Sequence, residues 1–255
     1  MPQYLQAGLW GLLASSGLLI GAAIAVVFRA QLSHRAIAAV MGFGGGVLIA
    51  VLSVDLMDMA FEDGGAVAAI AGILIGGAVS SAINWHLARH GAKHRNRCGD
   101  CVQPPSEAEH KGSGIAIAVG ALLDGIPESI VIGLSLLSGG KTGLALVAGF
   151  FLANVPQGLS SASGMKSAGR SHRYIFSVWI GIPLLCGIAA AAGNFALGSV
   201  APAVPATILA FAAGGVLAML AESMIPEAFE DAQPFIGLIT VIGFLVAFLI
   251  IKSQI

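Results

Sequence analysis

Charge is what this sequence has least of. Only 10% of its 255 residues are Asp, Glu, Lys or Arg, whereas 57% are apolar, and mean hydropathy is +0.91. A water-soluble domain carries about a quarter charged residues. There is too little polar surface here to solvate a globule, so the solvent facing the chain is lipid. Cysteine is also scarce. Three residues exclude a disulfide framework, and Cys186 stands in an apolar run where it reads as a small buried hydrophobe. No positive segment precedes the first apolar stretch; Arg29 and Arg35 follow it, so it reads as a retained helix, not a cleaved signal. No HExxH, no serine nucleophile with a base and no deep histidine is found, which argues against an intramembrane enzyme. No Arg or Lys lies inside an apolar segment to hold an anionic organic substrate. Neither a cofactor nor a nucleic-acid partner is expected.

What is abundant is glycine, 35 residues, including Gly17/Gly21 and Gly72/Gly76 at the spacing that lets helices approach closely in lipid. A spanning helix needs roughly 20 mostly apolar residues. That length predicts helices at about 7–28, 36–61, 66–88, 113–138, 142–165, 174–197, 206–229 and 234–251. The expected fold is an all-α integral membrane protein of about eight transmembrane helices, forming a single transport domain over 1–255. Most connections are short. The exception is the polar stretch 89–112.

Lys and Arg set the orientation. Of the 12, Arg29, Arg35, Arg89, Lys93, Arg95, Arg97, Lys111, Lys166, Arg170 and Arg173 fall in the connections after helices one, three and five. Only Lys141 and Lys252 fall on the other side. Those three loops are expected in the cytoplasm, 89–112 among them, and both termini outside. The chain also repeats itself. GGVLIAVLSVDLMDMAFED (45–63) in helix two and GGVLAMLAESMIPEAFED (214–231) in helix seven share both ends and two interior acids. Helix two runs outward and helix seven inward, so the copies are inverted. Helices four and five echo each other as LDGIPES (123–129) and ANVPQGL (153–159). Inverted repeats, helices 1–3 and 6–8 around a central 4–5 pair with Pro-interrupted helices in matching places, point to alternating access around a midplane site.

Six carboxylates fall inside the predicted hydrocarbon region: Asp55, Asp58, Asp124, Glu128, Glu222 and Glu227. None has an evident Lys or Arg partner at its depth. A charge at the bilayer centre costs at least about 2.5 kcal/mol on insertion scales, so a cation, metal or proton, is expected to compensate them. Asp124 and Glu128 are four apart on one helix face, and Asp55, Asp58 and Glu62 form an acidic stripe. Pro127, Pro156 and Pro226 deprive the carbonyls of Leu123, Leu152 and Glu222 of their donors. Oxygen-rich clusters of this kind suit hard or borderline divalent cations. Asn154 and Gln157 on the facing helix would add neutral oxygen ligands. The alternative is that acids and amides are hydrogen-bonded glue between helices. Glu62/Asp63 outside and Glu230/Asp231 inside would concentrate cations at the two ends of a pathway. In the 89–112 loop, His94, Cys98, Cys101 and His110 could form a regulatory N/S metal site, against the reading of a solvated basic loop.

At DGIPES and NVPQG the chain resembles the ZIP (Zrt/Irt-like protein) family of divalent metal transporters, and the likeness extends over nearly its whole length, to the IPEA of 225–228. The resemblance implies uptake of zinc, iron or manganese into the cytoplasm across the cell membrane. It implies a homodimer in which helices one, four, five and six move against a scaffold of the others. The chain departs from the family at its ligands. The helix-four pattern, typically His-Asn-x-Pro-Glu-Gly, reads Asp124-Gly125-Ile126-Pro127-Glu128-Ser129, so a carboxylate replaces the imidazole. In helix five, Ala153 and Gln157 stand for histidine and glutamate, and in helix six Ile182-Pro183 stands for Glu-Pro. A single site is therefore expected, with Asp124 and Glu128 supplying charge and Asn154 or Gln157 completing the shell. Zinc is the first expectation, and manganese or ferrous iron the close second because no imidazole remains. The expected pathway enters past Glu62 and leaves past Glu222, Glu227 and Glu230. The rival expectation is a membrane metal sensor that binds without transporting.

Overall fold

A computed structural model describes residues 1–27, 33–87, 89, 113–137, 143–231 and 235–253. Every element among them is helical and none is a strand: α1 (Gln3–Val27), α2 (His34–Val51), a first π turn (Leu52–Leu56), α3 (Met57–Leu87), α4 (Ser113–Ser135), α5 (Gly143–Ser167), α6 (His172–Leu197), α7 (Ala203–Met219), a second π turn (Leu220–Met224), α8 (Ile225–Asp231) and α9 (Ile236–Lys252). Five stretches are long and apolar enough to cross a membrane, namely Gln3–Val27, Arg35–His86, Ala118–Ser135, His172–Leu197 and Ala203–Phe229; Ile236–Lys252 is a shorter apolar helix. Their outward faces carry large hydrophobics such as Val67, Leu74, Ile188 and Phe195, all exposed. Water would penalise such a surface, and lipid does not. The chain is an all-helical, multi-pass membrane protein.

Small residues decide which helices meet. α3 runs along α7, and α1 lies against both α5 and α6; α2 pairs with α9, and α4 with α6. A Cβ on Gly76 would overlap the Phe211 carbonyl, and one on Gly21 would overlap the Val155 carbonyl. The two small-xxx-small pairs therefore bring backbones into direct contact, the geometry that dispersion forces require where no hydrophobic effect operates between helices. Side chains tie the same pairs. Asn194 Nδ2 donates to the Gly133 carbonyl at 2.9 Å, joining α6 to α4. Lys166 Nζ donates to the Ala25 and Val26 carbonyls at 2.9 and 3.0 Å. Those carbonyls lie in the last turn of α1, where the helix has no donors of its own and its dipole favours a cation.

Three backbone irregularities shape the bundle. Gly65 has φ 71° and ψ 179° inside α3, a region that is essentially glycine-only, and it breaks the run of helical dihedrals. The other two are the π turns. Each lies inside one copy of the sequence repeat, and each begins twelve residues from the end of its copy, 52 to 63 and 220 to 231. Met57 N–H bonds to the Leu52 carbonyl and Ile225 N–H to the Leu220 carbonyl, both spanning five residues. In the second copy Pro226 follows the turn and lacks the N–H that would serve Glu222. In the first copy Asp58 stands in that place, and no proline marks the turn.

Candidate metal centre

α4 carries the acidic pair into the bundle interior. Glu128 is 2% exposed, and Asp124, one turn earlier, is half-buried and close enough for the two carboxylates to act on each other. Asn154 on α5 is equally buried. Its Nδ2 donates to the Ala14 carbonyl of α1 at 3.2 Å and reaches Glu128 Oε2 at 3.5 Å, the long limit of a hydrogen bond. Glu128 Oε1 is buried with no hydrogen-bond partner, and so is Nε2 of the neighbouring buried amide, Gln157. Pairing of buried polar atoms is the rule in folded proteins. An unpaired buried carboxylate oxygen therefore marks a place where a ligand would supply what the protein does not. Of the four residues expected to hold metal, the structure brings Glu128 and Asn154 into contact, places Gln157 one turn along α5, and sets Asp124 toward a cavity.

That cavity, of about 130 Å³, lies between α3, α4 and α7, with Ser80, Asn84, Asp124 and Pro127 on its wall. By volume it has room for several waters. Beyond it, Glu222 in the second π turn accepts from the Ser81 hydroxyl and from Asn84 Nδ2, at 3.1 Å for the latter. Ser81 and Asn84 were not singled out in the sequence. The signal for them was a pair of polar residues three apart beside Ser80 in an otherwise apolar stretch of helix.

The remaining acids separate by face. Asp55 is 3% exposed in the first π turn, with Oδ2 unpartnered, whereas Asp58 and Glu62 are exposed. The expected stripe is split because the turn adds one residue, about 100° of rotation, between Asp55 and the acids that follow. Lys252 at the end of α9 acts on the charge of Asp55. Glu227 in α8 is buried. The Glu230 side chain lies outside the described residues, as do His94, Cys98, Cys101 and His110. Among the described residues no three of His, Cys, Asp and Glu converge. No protein-family model matches the chain, and no curated protein matches it either, so the chemistry of this centre is read from its own residues.

Proposed function

We propose that this chain carries a divalent metal ion across the cell membrane, zinc first with manganese and ferrous iron close behind, in the manner of the ZIP family that it resembles. The observation that carries the reading is Glu128: a carboxylate buried among α1, α4 and α5 with an oxygen that nothing in the protein satisfies. Burial of such a group is costly and is retained where it does work. Asp124 adds the second negative charge, and Asn154 and Gln157 add amide oxygens. The cavity at Asp124 leads toward Asn84 and Glu222, which fits an exit on the cytoplasmic side.

Eight spans are compatible with the helix lengths. Residues 35–86 would reach about 78 Å as one straight helix, more than twice the hydrocarbon thickness. A turn at Gly65 divides them into two spans, and α5 and α9 complete the eight. With both termini outside, α2 with its π turn runs outward and α7 with its π turn runs inward, so the repeat copies are inverted. Matching π turns in opposed helices are the kind of irregular backbone that alternating-access carriers place around a central site. The ion enters past Glu62, binds at Asp124 and Glu128, and leaves past Glu222, Glu227 and Glu230. The working unit is a homodimer.

The test is metal uptake into proteoliposomes, comparing zinc, manganese, ferrous iron and cadmium, with Asp124→Ala/Glu128→Ala as control. Saturable flux that the double variant abolishes is expected. Metal binding without flux would favour the second reading, a membrane metal sensor. The loss of the family's helix-four and helix-five histidines, at Asp124 and Ala153, speaks for that rival.

A further inference from the structure

Cys186 does not sit in the apolar surroundings its sequence context suggests. It is fully buried on α6. Its Sγ lies against Gly125 of α4, at 2.9 Å from where a Cβ on that glycine would stand. Ser129 on α4, Ser15 on α1 and the Glu128 carboxylate are all near enough to act on its thiol. Gly125 and Ser129 are one turn apart with Glu128 between them. A thiol, two hydroxyls and a carboxylate from three helices therefore share one buried spot in an apolar bundle. A packing role for Cys186 requires none of these partners. The independent pointer to a ligand is Glu128 Oε1, more than nine-tenths buried and unpartnered, three residues along α4 from the Gly125 that the thiol packs on.

We propose that Cys186 is a ligand of the transported ion, joining Glu128 when the site is loaded. The inference rests on the transport reading above and names the substrate class that the site prefers. A thiolate is a soft donor, and it draws a carboxylate–amide site away from manganese toward zinc and cadmium. It also supplies the softness that the helix-four motif lost when Asp124 took the place of an imidazole. Binding through Sγ exchanges the thiol proton for the metal, with the proton released to water. The hydroxyls of Ser15 and Ser129 can then turn to donate to the thiolate, since a hydroxyl rotates to suit its partner. Ser15 now donates to the Gly11 carbonyl at 2.6 Å and would exchange that bond. Gly125 leaves the space: any side chain there would push the thiol away from α4.

The experiment uses the purified full-length chain. Cys98→Ser and Cys101→Ser leave Cys186 as the one thiol for spectroscopy, because the chain has three cysteines. Cadmium titration is expected to give a thiolate-to-metal charge-transfer absorbance that saturates at one ion per chain and is absent from Cys186→Ser. In proteoliposomes of the chain with all three cysteines, Cys186→Ser and Cys186→Ala are both expected to shift the zinc-to-manganese flux ratio by at least about tenfold toward manganese. A ratio measured on one preparation does not depend on how much of it folded. Glu128-dependent flux with no cadmium band, or with an unchanged ratio in both variants, would overturn the role of Cys186 and leave transport standing. Absence of Glu128-dependent flux or binding for every metal would overturn the transport reading, and this inference with it.

Discussion

Replacing Glu128 by methionine separates a functional carboxylate from a structural one, because the two roles predict opposite signs of stability change. The side chains are close in volume, so the substitution removes charge and oxygen without opening a cavity. In the wild type, Oε1 is buried and unpartnered, which costs about 1–3 kcal/mol. The bond to Asn154 at 3.5 Å is too long to offset much of that, and Asn154 keeps the Ala14 carbonyl as its acceptor. Glu128→Met should therefore stabilise the metal-free protein by about 1–2 kcal/mol. Metal should reverse the order. A ligand at a hundred times its Kd stabilises the state that binds it by about 2.7 kcal/mol, a gain open to the wild type and closed to the variant. The assay is thermal unfolding in detergent, with and without zinc, read by tryptophan fluorescence, alongside flux. The curves should cross: the variant melts higher without metal, and the wild type higher with it. Loss of more than about 1 kcal/mol by the metal-free variant would refute the reasoning and make Glu128 a structural tie between α4 and α5.

Other perturbations probe the frame around the centre. Gly65→Ala places a side chain in a backbone region reserved for glycine and should cost about 1–3 kcal/mol in detergent unfolding, although no atom stands within 4 Å of the new Cβ. Asn84→Ala leaves Glu222 with the Ser81 hydroxyl alone and opens the wall of the cavity; zinc flux should change while the melting point falls by less than about 1 kcal/mol equivalent, because Glu222 is exposed. Lys166→Met removes both donors from the last turn of α1 and should cost about 1–2 kcal/mol, seen as faster hydrogen exchange at Ala25 and Val26. A cysteine introduced at Gln3 should react with an impermeant thiol reagent applied outside the cell, which checks the orientation that the Lys and Arg distribution predicts.

The sequence made the helices legible wherever an apolar run ends in charge or in a capping residue. Helix one was expected at 7–28 and lies at Gln3–Val27; helix six was expected at 174–197 and lies at His172–Leu197, where Ser171 caps it at 3.2 Å from Tyr174 N–H. Spacing within a helix was equally readable: Asp124 and Glu128, four apart in α4, act on each other. The π turns were not readable, because a widened turn alters phase and leaves hydrophobicity as it was. One consequence is the split between buried Asp55 and exposed Asp58, which an ideal helix would keep on one face. Contacts across the bundle were hidden for another reason. Glu222 meets residues 138 and 141 positions away, and Cys186 meets Ser15 and Ser129, pairings that only helix packing decides.

Backbone irregularity and buried polarity coincide in this chain, and lipid explains why. A helix interrupted by proline leaves a carbonyl without its donor, and in hydrocarbon that oxygen has no water to turn to. Such interruptions persist only where they face protein or a wet cavity. Pro127 lies on the wall of the cavity beside Asp124; Pro156 lies between Asn154 and Gln157, packed on Gly44 of α2; Pro183 is buried one turn before Cys186. α1 has neither a proline nor a π turn within its helix, and an intact helical carbonyl, that of Ala14, is what it lends to Asn154. The irregular helices α4, α5 and α6 thus bring the acid, the amides and the thiol to one locus, while regular α1 lies against α5 and α6 and braces them through Gly21 and Gly11. A bundle optimised only for stability would invert that arrangement, with regular helices inside and polar residues at the ends. Its departure from that pattern where α4, α5 and α6 meet is the physical ground on which the ion site is proposed.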